Sequence, residues 1–130
     1  MSTRSFICIE DDEGFRGIYC HYDGYPAHVG KILVEFHNRI TAAEALVYGP
    51  QIRNFDSDGT VARFGDGSDN DSEVYSTIGE ALNGAYDYVY LYSTQTNSWV
   101  CYARDRVPYN GIVEVEIPGN QPWLKETANA

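Results

Sequence analysis

Short apolar runs, rich in β-branched and aromatic residues, occupy residues 5–9 (SFICI) and 15–21 (FRGIYCH). The intervening Glu10-Asp-Asp-Glu-Gly14 has the acidic residues and glycine of a hairpin turn, so the two runs are predicted to pair antiparallel. After the turn-forming Asp23-Gly-Tyr-Pro26, Val29, Ile32, Leu33 and Phe36 recur at i, i+3, i+4 and i+7, which predicts a helix with one apolar face ending near Asn38. Thr41-Ala-Ala-Glu44 has the form of a capping box, and Gly49-Pro50 supplies a stop, so a shorter second helix is expected between them. A second capping box, Thr77-Ile-Gly-Glu80, opens a third helical pattern with Ile78, Ala81, Leu82 and Ala85 on one face.

Residues 86–92 (YDYVYLY) and 98–104 (SWVCYAR) flank the polar Ser93-Thr-Gln-Thr-Asn97 and predict a second hairpin; residues 111–117 (GIVEVEI) alternate as a half-exposed last strand. Between Gln51 and Tyr75 the pattern changes. Aspartates and glycines accumulate there, interrupted only by the strand-like run 60–64. The resulting expectation is one α+β domain over residues 1–130, with an antiparallel sheet built from two hairpins and two or three helices on one face. It includes a mobile acidic, glycine-rich region around 54–73 and a loose tail at 121–130.

Composition adds a direction. The chain has 130 residues, enough for a single core, and 19 acidic against 9 basic residues give a formal charge of -10. Such a surface repels a phosphate backbone, so no direct nucleic-acid partner is expected and a basic protein is favoured. The cysteines, Cys8, Cys20 and Cys101, are odd in number and sit in apolar runs, as buried free thiols of a reducing compartment would. With no signal-peptide pattern and no span of membrane-crossing length, a cytoplasmic protein without a membrane partner is expected.

Residues 18–30, IYCHYDGYPAHVG, concentrate candidate chemistry. His21, Asp23 and His28 offer zinc-type donors, yet His21 falls at a strand end and His28 at a helix start, while His37 lies nine residues further on and out of helical phase with His28. A turn walled by tyrosines is the simpler reading, and no metal or other cofactor is expected. Cys20 beside His21 resembles a nucleophile pair, but adjacent strand residues point to opposite faces. Asp56-Ser-Asp58-Gly-Thr60 and Asp66-Gly-Ser-Asp69-Asn-Asp71 resemble fragments of calcium loops. Counting from Asp56 places Val61 and Gly67 where an EF-hand needs glycine and glutamate. No nucleophile elbow, zinc-protease helix or phosphate loop is present in the sequence.

The tyrosines give another signal. Tyr86, Tyr88, Tyr90 and Tyr92 share one face of a predicted strand, and four buried hydroxyls would each need a partner, so partial exposure is expected. With Asp56, Asp58, Asp66, Asp69, Asp71 and Glu73, Tyr88 and Tyr90 make up the expected partner-binding set.

Residues 4–38, RSFICIEDDEGFRGIYCHYDGYPAHVGKILVEFHN, resemble the N-terminal part of small uncharacterised proteins of bacteriophages and other bacterial mobile elements, most specifically from Gly17 to Leu33. The resemblance implies a phage setting. With the charge, it leads to the expectation of a non-enzymatic acidic protein that binds and inhibits a host complex, such as a nucleic-acid-handling CRISPR effector, in the manner of a DNA mimic. The alternatives are a small metal-dependent enzyme using His21, Asp23 and His28, and a small-ligand-binding protein with an aromatic pocket.

Overall fold

The computed structural model describes residues 3–65, 69–84, 86–104 and 111–119. Its strands are β1 (Ser5–Asp11), β2 (Gly14–Cys20), β3 (Ile52–Phe55), β4 (Val61–Arg63), β5 (Glu73–Tyr75), β6 (Tyr88–Ser93), β7 (Ser98–Arg104) and β8 (Ile112–Val115). They form one eight-stranded sheet in the order β4-β3-β2-β1-β6-β7-β8, with β5 paired to β2 off that path. The helices are α1 (Lys31–Phe36), preceded by a wide helical turn at Pro26–Gly30, α2 (Ile40–Val47) and α3 (Ile78–Leu82).

Both expected hairpins are present: β1 pairs antiparallel with β2, closing at Asp11 and Gly14, and β6 with β7 from Tyr88/Ala103 to Ser93/Ser98. The sheet is nevertheless more than two hairpins. β1 lies parallel to β6, Ser5 to Cys8 against Tyr88 to Leu91, and this pairing joins the two halves. The remaining edge of β2 is divided, with β3 parallel at Cys20 and β5 antiparallel over Phe15 to Gly17. Asn70 and Asp71 strap the division. The Asp71 amide donates to the Gly49 carbonyl at 2.8 Å, the Gly49 amide to Asn70 Oδ1 at 3.3 Å, and the Gln51 amide to Asp71 Oδ2 at 3.2 Å.

The expectation of helices on one face is corrected. Because β1 is central, its alternating side chains bury in both directions: Ile7 and Ile9 under α1 and α2 with Val29, Leu33, Leu46 and Trp99, and Phe6 and Cys8 under α3 with Ala81, Leu82 and Val89. The Thr77 cap of α3 holds, its hydroxyl accepting from the Glu80 amide at 3.0 Å. The Thr41 cap does not. α2 begins at Ile40 with extended Arg39 as N-cap, and Thr41 sits inside the first turn. Phe36, expected in the core, is 43% exposed, its ring against Gly59. The expected tail 121–130 lies outside the described residues.

Helices of six, eight and five residues are too short to persist alone. The sheet holds their C-terminal ends. Trp99 Nε1 of β7 donates to the His37 carbonyl after α1 at 2.9 Å. Arg63 of β4 donates to the carbonyls of Pro50 at 2.6 Å, Leu46 at 3.0 Å and Ala45 at 3.1 Å, closing α2. Arg104 of β7 donates to the Leu82 carbonyl at the end of α3. Replacing Arg63 with Ala leaves these carbonyls without their cationic donor and is expected to cost about 2 kcal/mol, read from urea unfolding. Arg63→Lys, with one ammonium in place of a planar fork, is expected to recover less than half of that.

Candidate functional site

Residues 18–30 form the junction between β2 and α1. Ile18, Cys20 and Val29 are fully buried on the α1 and α2 face. Asp23 adopts the left-handed region at φ 55°, which a short polar side chain tolerates. Gly24 follows, where a Cβ would meet Ser5 Oγ at 2.7 Å, so the turn closes only around a glycine. The same backbone supplies an acceptor deep in the sheet: the Tyr90 hydroxyl donates to the Gly24 carbonyl at 2.6 Å.

The histidines of this stretch turn to different partners. Tyr19 Oη bonds His21 Nδ1, and the His21 ring stands near Tyr22 and Phe64, at centroid distances of 4.4 and 6.0 Å. His28 Nε2 donates to the Phe55 carbonyl at 3.0 Å, and His37 Nε2 to the Gly59 carbonyl at 3.0 Å. His28 and His37 therefore both grip the β3–β4 turn from the helix side. Burial holds His37 below the usual imidazole range. Among the described residues no group of three His, Cys, Asp or Glu side chains is placed to hold a metal ion.

The acidic residues have internal uses that their sequence spacing did not reveal. Asp56 Oδ1 accepts from Asn54 Nδ2 at 3.2 Å, and Asp58 Oδ1 from the Thr60 amide at 3.0 Å, so both shape the β3–β4 turn. The Thr60 hydroxyl, and then its amide, hold the Asp58 carboxyl below its ordinary range. Asp71 belongs to the strap, and Glu73 Oε2 accepts from the Tyr75 hydroxyl at 2.9 Å. Asp69 is exposed, and Asp66 lies outside the described residues. Arg16 Nε meets Asp11 Oδ2 at 2.7 Å and its Nη2 meets Glu13 Oε2 at 2.8 Å, the ion pairs found among the described residues.

The aromatic face is corrected in two ways. Tyr86 precedes β6 and joins the α3-side cluster with Phe6 and Val89, whereas Tyr88, Tyr90 and Tyr92 pack on the opposite side. Tyr90 is 0% exposed and Tyr92 4%, so of this set Tyr88 alone keeps intermediate exposure. The buried Tyr90 hydroxyl is satisfied by a carbonyl 66 residues away, a partner that strand alternation gives no means of finding. The rings exposed near the turn are Tyr22 at 45%, Tyr25 at 39% and Phe64 at 39%.

All three thiols are free and buried, and burial pushes Cys20 and Cys101 up to about 12 and Cys8 further up. Such thiols are poor nucleophiles. Comparison with protein-family models, curated proteins and solved structures finds no match. Among the described residues no helix is long and apolar enough to cross a membrane.

The raised thiol values carry a pH dependence. Unfolded thiols ionise near their ordinary 9.0 while the folded ones stay protonated, so this stabilisation is intact below pH 9.0 and is lost as pH rises towards the folded values near 12. Unfolding free energy is expected to fall above pH 9 by roughly 1.4 kcal/mol per pH unit for each buried thiol. The Cys20→Ala variant should show a shallower decline in the same denaturation series. Native thiol titration with an aromatic disulfide should label none of the three before unfolding.

Proposed function

We propose that the chain is a non-enzymatic acidic binding protein of a bacteriophage or mobile element, which engages a basic surface of a host protein and blocks a nucleic-acid-handling defence complex. The observation that carries this reading is the line of carboxylates along the outer side of the sheet at β5. Asp69 and Asp71 lead into β5, Glu73 lies on it, and the β1–β2 turn with Asp12 and Glu13 reaches its far end, where Gly14 approaches Tyr75. Exposed Val74 sits within the line, an apolar contact point flanked by charge. Arg16 offsets Asp11 and Glu13, and among the described residues no ion pair neutralises Asp12, Asp69, Asp71 or Glu73.

Exposed ion pairs contribute little singly, up to about 1 kcal/mol, but a row of like charges steers a cationic partner and makes association salt-dependent. The internal bonds divide the acidic residues into two classes. Asp12 and Asp69 can be neutralised with little structural cost, whereas Asp58 and Asp71 hold a turn and the strap.

Capture of partners from a bacterial lysate on the immobilised chain supplies the binding assay. Asp12→Asn combined with Asp69→Asn is expected to slow association with a captured basic partner several-fold at low salt and to flatten its salt dependence, with an unchanged urea midpoint. Asp71→Asn is expected to lower the midpoint itself. If the double neutralisation leaves both rate and salt slope unchanged, the carboxylate line does not make the interface.

A further inference from the structure

The sheet ends at β8 in a strand whose side chains are exposed on both faces. Ile112 is 51% and Val113 39% exposed, and Glu114 is exposed as well. The inner edge of β8 pairs with β7 in unbroken register from Arg104/Ile112 to Cys101/Val115, and among the described residues no strand lies on its outer edge. Successive strand side chains point to opposite faces. Val115 packs on the α1 and α2 core and Val113 shares its side, whereas Ile112 reaches α3 at Gly79, with Glu114 on that same side. Both layers of the core therefore end over exposed apolar side chains, beside the outward backbone donors and acceptors of a last strand.

Folds commonly guard such an edge with a proline, a lysine or a bulge. Within β8 the only guard of this kind is the charge of Glu114. It stands across from Tyr102, whose phenol is held above its ordinary range by burial and then by Glu114. The nearest strand cation, Arg104, turns to the Leu82 carbonyl, and among the described residues no ion pair includes Glu114. A lysine or arginine on an added strand, opposite Glu114, would convert this guard into an attraction. We propose that the outer edge of β8 docks an extended segment of a basic partner by strand addition, with a lysine or arginine opposite Glu114 and apolar residues beside Ile112 and Val113. The basic character of that segment is argued from Glu114 and the formal charge, and the edge is separated by β1, β6 and β7 from β2, on which the carboxylate line of β5 lies.

A second copy of the chain is the poorer occupant. In a two-fold antiparallel pairing of β8 with itself, opposite residues share a face, so the registers that pair most of the strand centre on Val113 or on Glu114. The first sets Glu114 diagonal to the other copy's Glu114 and the second sets the two directly opposite. Both also bring together chains of formal charge -10. A basic segment meets neither repulsion.

Amide spectra of the full chain, titrated with the capped heptapeptide TKVKVKT, test the edge; the comparisons are TEVEVET and a fully backbone-N-methylated TKVKVKT, which keeps the charge but cannot donate strand hydrogen bonds. Saturable one-to-one binding is expected, with shifts and slowed amide exchange centred on Ile112 to Val115. Both comparison peptides should bind about tenfold more weakly or worse. Glu114→Lys, at an exposed position, is expected to weaken TKVKVKT about threefold or more and to strengthen TEVEVET, with an unchanged urea midpoint. Asp12→Asn combined with Asp69→Asn should leave the peptide affinity unchanged, so failure at β8 and failure of the carboxylate line are read separately. Absence of saturable binding, shifts centred on β5, or equal binding of the methylated peptide overturns the proposal. So does slow exchange at Ile112 to Val115 in the free chain that the peptide leaves unaltered: dependence on chain concentration then assigns the edge to a second copy, and independence assigns it to the chain's own residues.

Discussion

The parallel alignment of β1 with β6 is the constraint from which the rest follows. It places β1 in the interior of the sheet, with β2 on its other side, so Phe6 and Cys8 must be covered as fully as Ile7 and Ile9. A strand buried on both faces reads as a continuous apolar run, as SFICI does. Covering both faces requires helices on both, and the chain divides them: α1 and α2 between β2 and β3, α3 between β5 and β6. Parallel strands cannot be closed by a tight turn, so everything from β2 to α3 serves as the connection between β1 and β6.

That arrangement leaves three helices with little intrinsic persistence, and their ends are secured by the sheet. Trp99, Arg63 and Arg104 are strand residues whose donors reach carbonyls at or just beyond the ends of α1, α2 and α3. Each bond satisfies a group that a helix leaves open and fixes where that helix stops on the sheet. There is an electrostatic consequence. Arg63 and Arg104 direct their donors to backbone carbonyls and form no ion pair among the described residues, so the acidic excess of the composition is not offset through them by direct pairing.

What the sequence revealed and what it hid divide along the range of the interactions. Both hairpins, the α3 cap and the buried cysteines rest on neighbours a few residues apart, and periodicity and turn chemistry found them. β3 was missed because Ile52-Arg-Asn-Phe55 has only two buried side chains and gains its place from one bridge to Cys20 and from β4. Thr41-x-x-Glu44 satisfied the capping pattern, yet Trp99 fixes the end of α1 at His37, and α2 begins one residue before Thr41. The site residues fared similarly. Alternation placed Tyr88, Tyr90 and Tyr92 on one face correctly but could not show that Gly24 would satisfy a fully buried Tyr90. Nor does spacing reveal that Asp71 anchors the Gly49 to Gln51 segment, since the two are joined only by the fold.

The divided edge of β2 brings the two surface features into one frame. β5 carries the carboxylate line on one half of that edge, and β3, with β4 beyond it, supports the Tyr22 and Phe64 side on the other. The Asn70–Asp71 strap is the direct bond between the halves, through backbone and side-chain contacts to Gly49 and Gln51, while Gln51 in turn accepts from the Phe64 amide at 2.9 Å. Asp71 is therefore joined through two hydrogen bonds, by way of Gln51, to Phe64, whose ring is exposed. The Asp71 carboxylate is thus a structural group as well as a charge, because the backbone from Gly49 to Gln51, and through Gln51 the chain at Phe64, is held to β5 by it.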